Sequence, residues 1–296
     1  MKQTAINKFN FFIYYLFFRW TSLFWKLNRI KIYNGQETIK KIIKDKCSIA
    51  RFGDGEFSLM AGKDTGFQKS NEEIINKLKN IIKNTEPGLL VGIPYGWKYP
   101  WNLKYQAFEY WGGYLMRNFK TIQPYLNKAT KYYDSLFTRF YIDYRTPNNA
   151  KAILKLVNRI WESRNVCIIE GEYSRLGVGN NLFDNAKCIK RIICPSQNAF
   201  NVYDRIINEA NKFPKDTLFL LALGMTATCL AYDLHIAGYQ AIDIGHIDIE
   251  YEWFKIKAQQ KVAIPGKYVA ESVNNNTTAA DFNELYDSQI VSRIIK

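Results

Sequence analysis

TLFLLALGMTATCLAYDLHIAGYQAIDI, residues Thr217–Ile244, is the stretch that decides the fold. Thr217–Leu223 is an unbroken apolar run of strand length, Gly224 punctuates it, Thr226–Ala237 has helical character, and Gln240–Ile244 is a second short apolar run. A strand that is apolar throughout is buried on both faces, which is the condition of a parallel sheet covered by helices on either side. Strand, helix and strand in so short a span make a βαβ unit.

The same rhythm continues outward. Val166–Glu170 (VCIIE) and Cys188–Cys194 (CIKRIIC) read as further strands, and Ala199–Lys212 as a helix. Upstream, Gln36–Lys46 is helical and Cys47–Phe52 (CSIARF) is a buried strand. Ser70 and Glu73 form a capping box for a helix reaching Lys83. Gly88–Pro94 and Tyr132–Phe137 are strands, and Thr146-Pro147 opens a helix reaching Arg164. The expected class is α/β, a mainly parallel sheet flanked by helices, in one domain over residues 35–296 behind a basic aromatic extension, residues 1–34. There is no internal repeat and no long Gly/Ser/Pro linker.

Composition narrows the class. In 296 residues, 47% hydrophobic content is ample for a core. The five cysteines include no C-x-x-C pair and lie mostly in apolar runs, so they read as reduced core residues of a cytosolic protein. The net charge is +14, and residues 1–46 carry ten Lys or Arg against two acids. Within that segment Phe9–Leu27 is crowded with aromatics but broken by Asn10, Arg19, Thr21 and Ser22, too polar to span a bilayer. It reads either as an interfacial anchor touching anionic lipid through residues 8–31, or as a helix packed on the domain or a partner.

Ligands of open parallel sheets sit outside the carboxyl ends of the strands. Three motifs fall at such ends. Arg51-Phe52-Gly53-Asp54-Gly55-Glu56 offers two carboxylates one residue apart, the hard oxygen ligands that Mg²⁺ or Mn²⁺ takes while leaving positions for phosphate. Ser174-Arg175-Leu176-Gly177-Val178-Gly179-Asn180, followed by Asn181, offers a guanidinium, a hydroxyl and open backbone N–H groups for a phosphate or a base edge. Gly224 and Thr226 begin a helix whose free N–H groups favour an anion. A fourth cluster, Gly245-His246-Ile247-Asp248-Ile249-Glu250-Tyr251-Glu252, follows QAIDI. If it is extended, its polar side chains share one face, with His246 as a metal ligand and Asp248 or Glu250 as a general base. Each motif also has a structural reading, as a surface turn, a helix cap or a solvated edge strand, and His235 reads as structural.

Taken together, RFGDGE, SRLGVGN, ALG-x-TAT-x-LAYDL and IDIGHIDIEYEW resemble the bacterial glycosyltransferases of the GT-D fold, in colinear order over about residues 36–260. The resemblance implies a Rossmann-like fold, a UDP-sugar donor, and a divalent metal held with help from a D-x-E motif, here Asp54 and Glu56. On that basis Arg51, Ser174, Arg175, Gly177, Gly179 and Asn180 are expected near the nucleotide diphosphate, and His246 near the metal. Met225 stands where the pattern has proline, expected to affect only the helix entry, and Asn181 where it has aspartate.

The expected function is transfer of a hexose from a UDP-sugar to a hydroxyl of a surface glycan or glycoprotein acceptor. A lipid-linked acceptor at the inner leaflet would suit the basic N-terminus. The rival enzyme is a metal-dependent phosphodiesterase or nucleotide hydrolase. A nucleic-acid partner is not expected, because Asp54, Glu56, Asp248 and Glu250 would repel its phosphates.

Overall fold

The computed structural model describes residues 30–84, 86–145, 149–269, 271 and 283–295, with residues 9, 12, 13, 15 and 16 of the N-terminal segment. In chain order the elements are β1 (Lys31–Ile32), α1 (Gly35–Asp45), β2 (Ser48–Arg51), α2 (Asp54–Met60), α3 (Glu72–Ile81), β3 (Leu89–Ile93), α4 (Tyr105–Ile122), β4 (Lys131–Asp134) and α5 (Ala150–Asn158). There follow β5 (Asn165–Gly171), β6 (Cys188–Cys194), α6 (Tyr203–Ala210), β7 (Leu218–Ala222), α7 (Met225–Ile236), β8 (Gln240–Asp243), α8 (Ile247–Lys255), α9 (Glu284–Gln289) and β9 (Ile290–Arg293).

Among the described residues the strands form one nine-stranded sheet in the order β1-β4-β3-β2-β8-β7-β5-β6-β9, and each pairing is parallel. The expected α/β sandwich is therefore present. Its cause is visible along single strands. In β7, Phe219 and Leu221 enter the core on one side while Leu218 and Leu220 enter the core on the other. In β5, Cys167 and Ile169 divide from Val166 and Ile168 in the same way. Side chains alternate across a strand, so a continuous apolar run feeds two helical layers at once.

Lys31 and Ile32, inside the stretch read as an extension, are the edge strand β1 on β4. Asn34 then caps α1 through a reciprocal pair with Glu37, Glu37 N to Asn34 Oδ1 at 3.0 Å and Asn34 N to Glu37 Oε2 at 2.9 Å. The cap of α3 is Asn71, whose Oδ1 accepts from Ile74 N at 2.9 Å, and not Ser70. Asparagine one residue later does the same work, and Ser70 N instead donates to Asp64 at 2.8 Å. The expected Thr146-Pro147 cap and most of the N-terminal segment lie outside the described residues. No helix among the described residues is long and apolar enough to cross a membrane. His235 is structural, its ring nitrogens 3.2 Å from Ser48 Oγ and 3.0 Å from the Pro87 carbonyl.

The chain runs β2, β3, β4 toward one edge, then crosses to build β5 to β9 on the other side. Neighbouring strands β2 and β8 consequently feed elements on opposite halves of the sheet. Such a reversal opens a crevice at the carboxyl edge, where ligands of this architecture bind.

Candidate active site

A cleft of about 1200 Å³ lies at that edge, walled by the residues following β2, β4, β5, β7 and β8, by the first half of α4, and by the strap after α8. Its floor is the D-x-E turn. Strand β2 ends at Arg51, and α2 begins at Asp54, so both acids occupy the first turn of a helix, where free N–H groups and the helix dipole favour carboxylates. Glu56 bends back as a cap. Its Oε2 accepts from Gly53 N at 2.7 Å and its Oε1 from Thr228 Oγ1 at 3.3 Å. Burial, with the negative charges of Asp243 and Asp54 adding to it, pushes the Glu56 carboxyl up to about 7. Asp54 is more open, and its Oδ2 accepts from the Tyr110 hydroxyl. A Cβ on Gly55 would lie 2.7 Å from Met225 Sδ. Met225 thus does more than start α7: it packs directly on the acidic turn.

Two guanidinium groups reach the cleft. Arg51 Nη2 pairs with Asp243 Oδ1 at 2.9 Å, and Nη1 donates to Ser135 O at 2.9 Å and Thr138 Oγ1 at 3.0 Å. Gly245 sits at a left-handed φ of +49°, and a Cβ there would stand 1.9 Å from Arg51 Nη2, so any other residue would be strained and would displace that guanidinium. Arg139 pairs with Glu271, and its Nη2 faces His246 Nδ1 at 3.3 Å. Guanidinium only donates, so Nδ1 is the acceptor and the neutral ring carries its proton on Nε2. The walls of the cleft and the Arg139 charge together lower the His246 pKa to about 4, so it is a neutral hydrogen-bond donor at physiological pH.

The segment expected to be extended is helical: Ile247–Lys255 is α8, with His246 at its N-cap. Its acids turn to the protein, not to a ligand. Asp248 Oδ1 accepts from Gly177 N at 2.9 Å and Asn180 Nδ2 at 2.7 Å, and its Oδ2 from the buried Lys267 ammonium at 2.5 Å. Glu252 Oε1 accepts from the same Asn180 amide at 2.6 Å. Glu250 is 0% exposed and stands outside the cleft wall. Its Oε1 accepts from Tyr141 N at 2.6 Å and Ile142 N at 2.8 Å. The expectation of Glu250 as a base at the reacting centre is corrected accordingly: it clamps the loop after β4 that carries Arg139.

The glycine-rich loop after β5 is corrected by the same contacts. Gly177, Gly179, Asn180 and Asn181 lie off the cleft lining, and Asn181 Oδ1 accepts from Tyr251 OH at 2.5 Å. Arg175 is buried at φ +45°, with its guanidinium 5.4 Å from the Tyr286 ring centre. It faces α9, away from the cleft. Ser174 reaches the cleft, as do Arg51, Asp54, Glu56, Gly224, Thr226, His246 and Asp248. Sequence reasoning did not single out Tyr110, Arg139 or Asp243. An acid inside the apolar run QAIDI was the available signal for Asp243; for Arg139 the sequence carried none.

The lining holds seven carboxylates against four Lys or Arg, so a diphosphate entering it meets excess negative charge. A hard cation fits the acidic floor. Mg²⁺ sites commonly use one or two carboxylates and complete the shell with phosphate oxygens and water. Asp54 is the open carboxylate, and Glu56 stands behind it with a charge that burial suppresses and a cation would restore. His246 does not fit such a set. No three His, Cys, Asp or Glu side chains converge among the described residues, and Arg139 takes its Nδ1 lone pair.

A parallel sheet with an acid-floored crevice at its switch point defines the chain as a ligand-binding α/β protein of the doubly wound kind. It belongs to the GT-D glycosyltransferase fold family, whose model matches residues 49–272. It is 37% identical over 270 residues to "Glycosyltransferase GlyD" of Streptococcus pneumoniae serotype 4, covering 91% of this chain and 33% of that protein. It is 32% identical to "Probable glycosyl transferase Gly" of Streptococcus gordonii, covering 90% of this chain and 39% of that protein. The chain thus spans little more than a third of the length of these curated relatives. A solved structure described as a domain of unknown function 1792 with a distinct glycosyltransferase fold superposes with a TM-score of 0.86. It is 36% identical, over 92% of this chain and 98% of that one.

Proposed function

We propose that this chain transfers a hexose from a UDP-sugar to a hydroxyl of a surface glycan or glycoprotein, with Mn²⁺ or Mg²⁺ held at Asp54 and Glu56. The observation that carries the proposal is the acidic turn on the floor of a large cleft at the switch point. When bound, the cation would neutralise charge developing on the departing diphosphate. The chain's own part is positioning and charge. Gly224, Met225 and Thr226, at the start of α7, line the same cleft, and the free N–H groups of a helix start suit a phosphate. Arg51 and Arg139 add positive charge in a partly dehydrated wall, where each counts for more than in water. The Nε2–H of neutral His246 is a further donor. Of the two acids put forward as a base, Asp248 alone lines the cleft, and three of its about four lone-pair positions are already filled. Contact with anionic membrane through residues 8–31, and with it a peripheral cytoplasmic location and a lipid-linked acceptor, belongs to this proposal as well.

The test is calorimetric titration with UDP, with and without Mn²⁺, on wild type and Asp54→Ala, followed by a UDP-sugar screen. Mn²⁺-dependent binding that falls at least about tenfold in the variant is expected. Equal binding by the two proteins would refute the metal site. Consumption of UDP-sugar by water, faster than transfer to any glycan, would favour the hydrolase instead.

A further inference from the structure

We propose that Tyr110 is a positioning residue for the metal: its hydroxyl donates to Asp54 Oδ2 and so turns Oδ1 toward the cation. The inference rests on the metal-dependent reading above and deepens it. Tyr110 and Tyr114 are one turn apart on α4 and share a face of it. Both hydroxyls end on the same residue, Tyr110 on the Asp54 carboxylate and Tyr114 on its main-chain oxygen at 3.3 Å. The rings are themselves fixed. Tyr110 packs edge-on against Trp111 at 5.2 Å between centroids, and Tyr114 stacks with Trp97 at 6.4 Å. Trp97 in turn meets Phe57 of α2 at 5.4 Å, closing a circuit from α4 back to the acidic turn.

A tyrosine kept only for packing would be buried. Tyr110 is 51% exposed, and it lines the cleft. From the other side, Met225 presses on Gly55. The carboxylate is thereby held with one oxygen committed, while no described donor occupies Oδ1. Partners that orient a ligating carboxylate in this way set metal affinity, and losing one typically weakens binding about 10–100-fold.

The experiment titrates Mn²⁺ into UDP-saturated wild type, Tyr110→Phe, Asp54→Ala and the double variant, with UDP affinity in EDTA and thermal melting measured in parallel. Tyr110→Phe is expected to weaken Mn²⁺ binding about 10–100-fold. Its metal-free UDP affinity and melting temperature should stay at wild-type values, since ring and packing are kept. In the double variant the Tyr110 change should add nothing to Asp54→Ala, because it acts through that carboxylate. Unchanged Mn²⁺ affinity in Tyr110→Phe overturns the inference. Tighter affinity overturns it too, since the phenol would then be a competitor that the metal displaces. Wild type showing no Mn²⁺-dependent binding would remove the function proposal and this inference together, an outcome separate from either of those.

Discussion

Replacing Glu250 by Gln separates a buried clamp from a catalytic base. The side chain is 0% exposed, and burial pushes its carboxyl up from an ordinary 4.5 to about 7, against the pull of Arg139 and two backbone N–H groups. A carboxyl whose pKa is raised on folding stabilises the fold fully while protonated, below about pH 4.5. That contribution is lost as pH rises from 4.5 to 7, because the unfolded chain ionises first. Each tenfold change in acidity is about 1.36 kcal/mol, so the gap is worth about 3 kcal/mol, most of which falls between about pH 5 and pH 8. Gln keeps the carbonyl oxygen that accepts from Tyr141 N and Ile142 N, and it does not titrate. Other groups that titrate in this range cancel when wild type and variant are compared at each pH. The stability difference, measured by urea denaturation at steps from about pH 5 to pH 8, should therefore move in favour of Glu250→Gln by about 2–3 kcal/mol. Transfer activity should persist within a few-fold, where loss of a general base costs about 10²–10⁴. A pH-independent stability difference would refute the burial argument, and a 10²-fold fall in turnover with the fold intact would return Glu250 to the reacting centre.

Other perturbations test neighbouring parts of the same architecture. Lys267 is buried against Asp248 at 2.5 Å and Glu252 at 3.4 Å, so Lys267→Met leaves the buried Asp248 without its cation and Glu252 with only Lys255, at 3.7 Å. The expected loss in urea denaturation is about 3–5 kcal/mol, and a change below 1 would show the pair to be solvated. Gly245→Ala sets a Cβ 1.9 Å from Arg51 Nη2 at a left-handed φ, and should cost about 1–3 kcal/mol of stability while weakening UDP binding by displacing Arg51. Wild-type UDP affinity in that variant would take Arg51 out of the donor site.

The sheet was legible because its evidence is local. β7 and β5 are apolar on both faces, and only a strand covered on two sides needs that composition. The acidic turn was legible for a similar reason, since RFGDGE sits where a strand must hand over to a helix. α8 was not legible. His246, Asp248, Glu250 and Glu252 alternate with apolar residues, and a period of two is the mark of a strand with one wet face. That inference assumes that acids face water. Here every residue from Ile247 to Trp253 is buried, carboxylates included, so the alternation records no exposed face and carries no information about backbone period.

The same assumption misassigned the loop after β5. Glycine N–H groups and an asparagine amide are the donors a phosphate wants, and they are equally what a buried carboxylate wants. Residue types name donors without naming their partners. In the fold the two misread motifs answer one another: Gly177 and Asn180 are the donors, Asp248 and Glu252 the acceptors, and Lys267 with Lys255 offsets their charge. Because those donors are spent inside the protein, a diphosphate in the cleft has to find its positive charge elsewhere. Of the four cations that line the wall, Arg51 is committed to Asp243, Arg139 to Glu271 and Lys261 to Asp143 and Glu271, so each of these ion pairs has to loosen before its cation can serve a ligand in full. Lys104, which donates to the Gln259 carbonyl, is left as the one cation of the lining outside an ion pair among the described residues. That shortage is the physical reason for expecting donor binding to depend on a cation at Asp54, and it ties the fate of the D-x-E turn to the misreading of the loop.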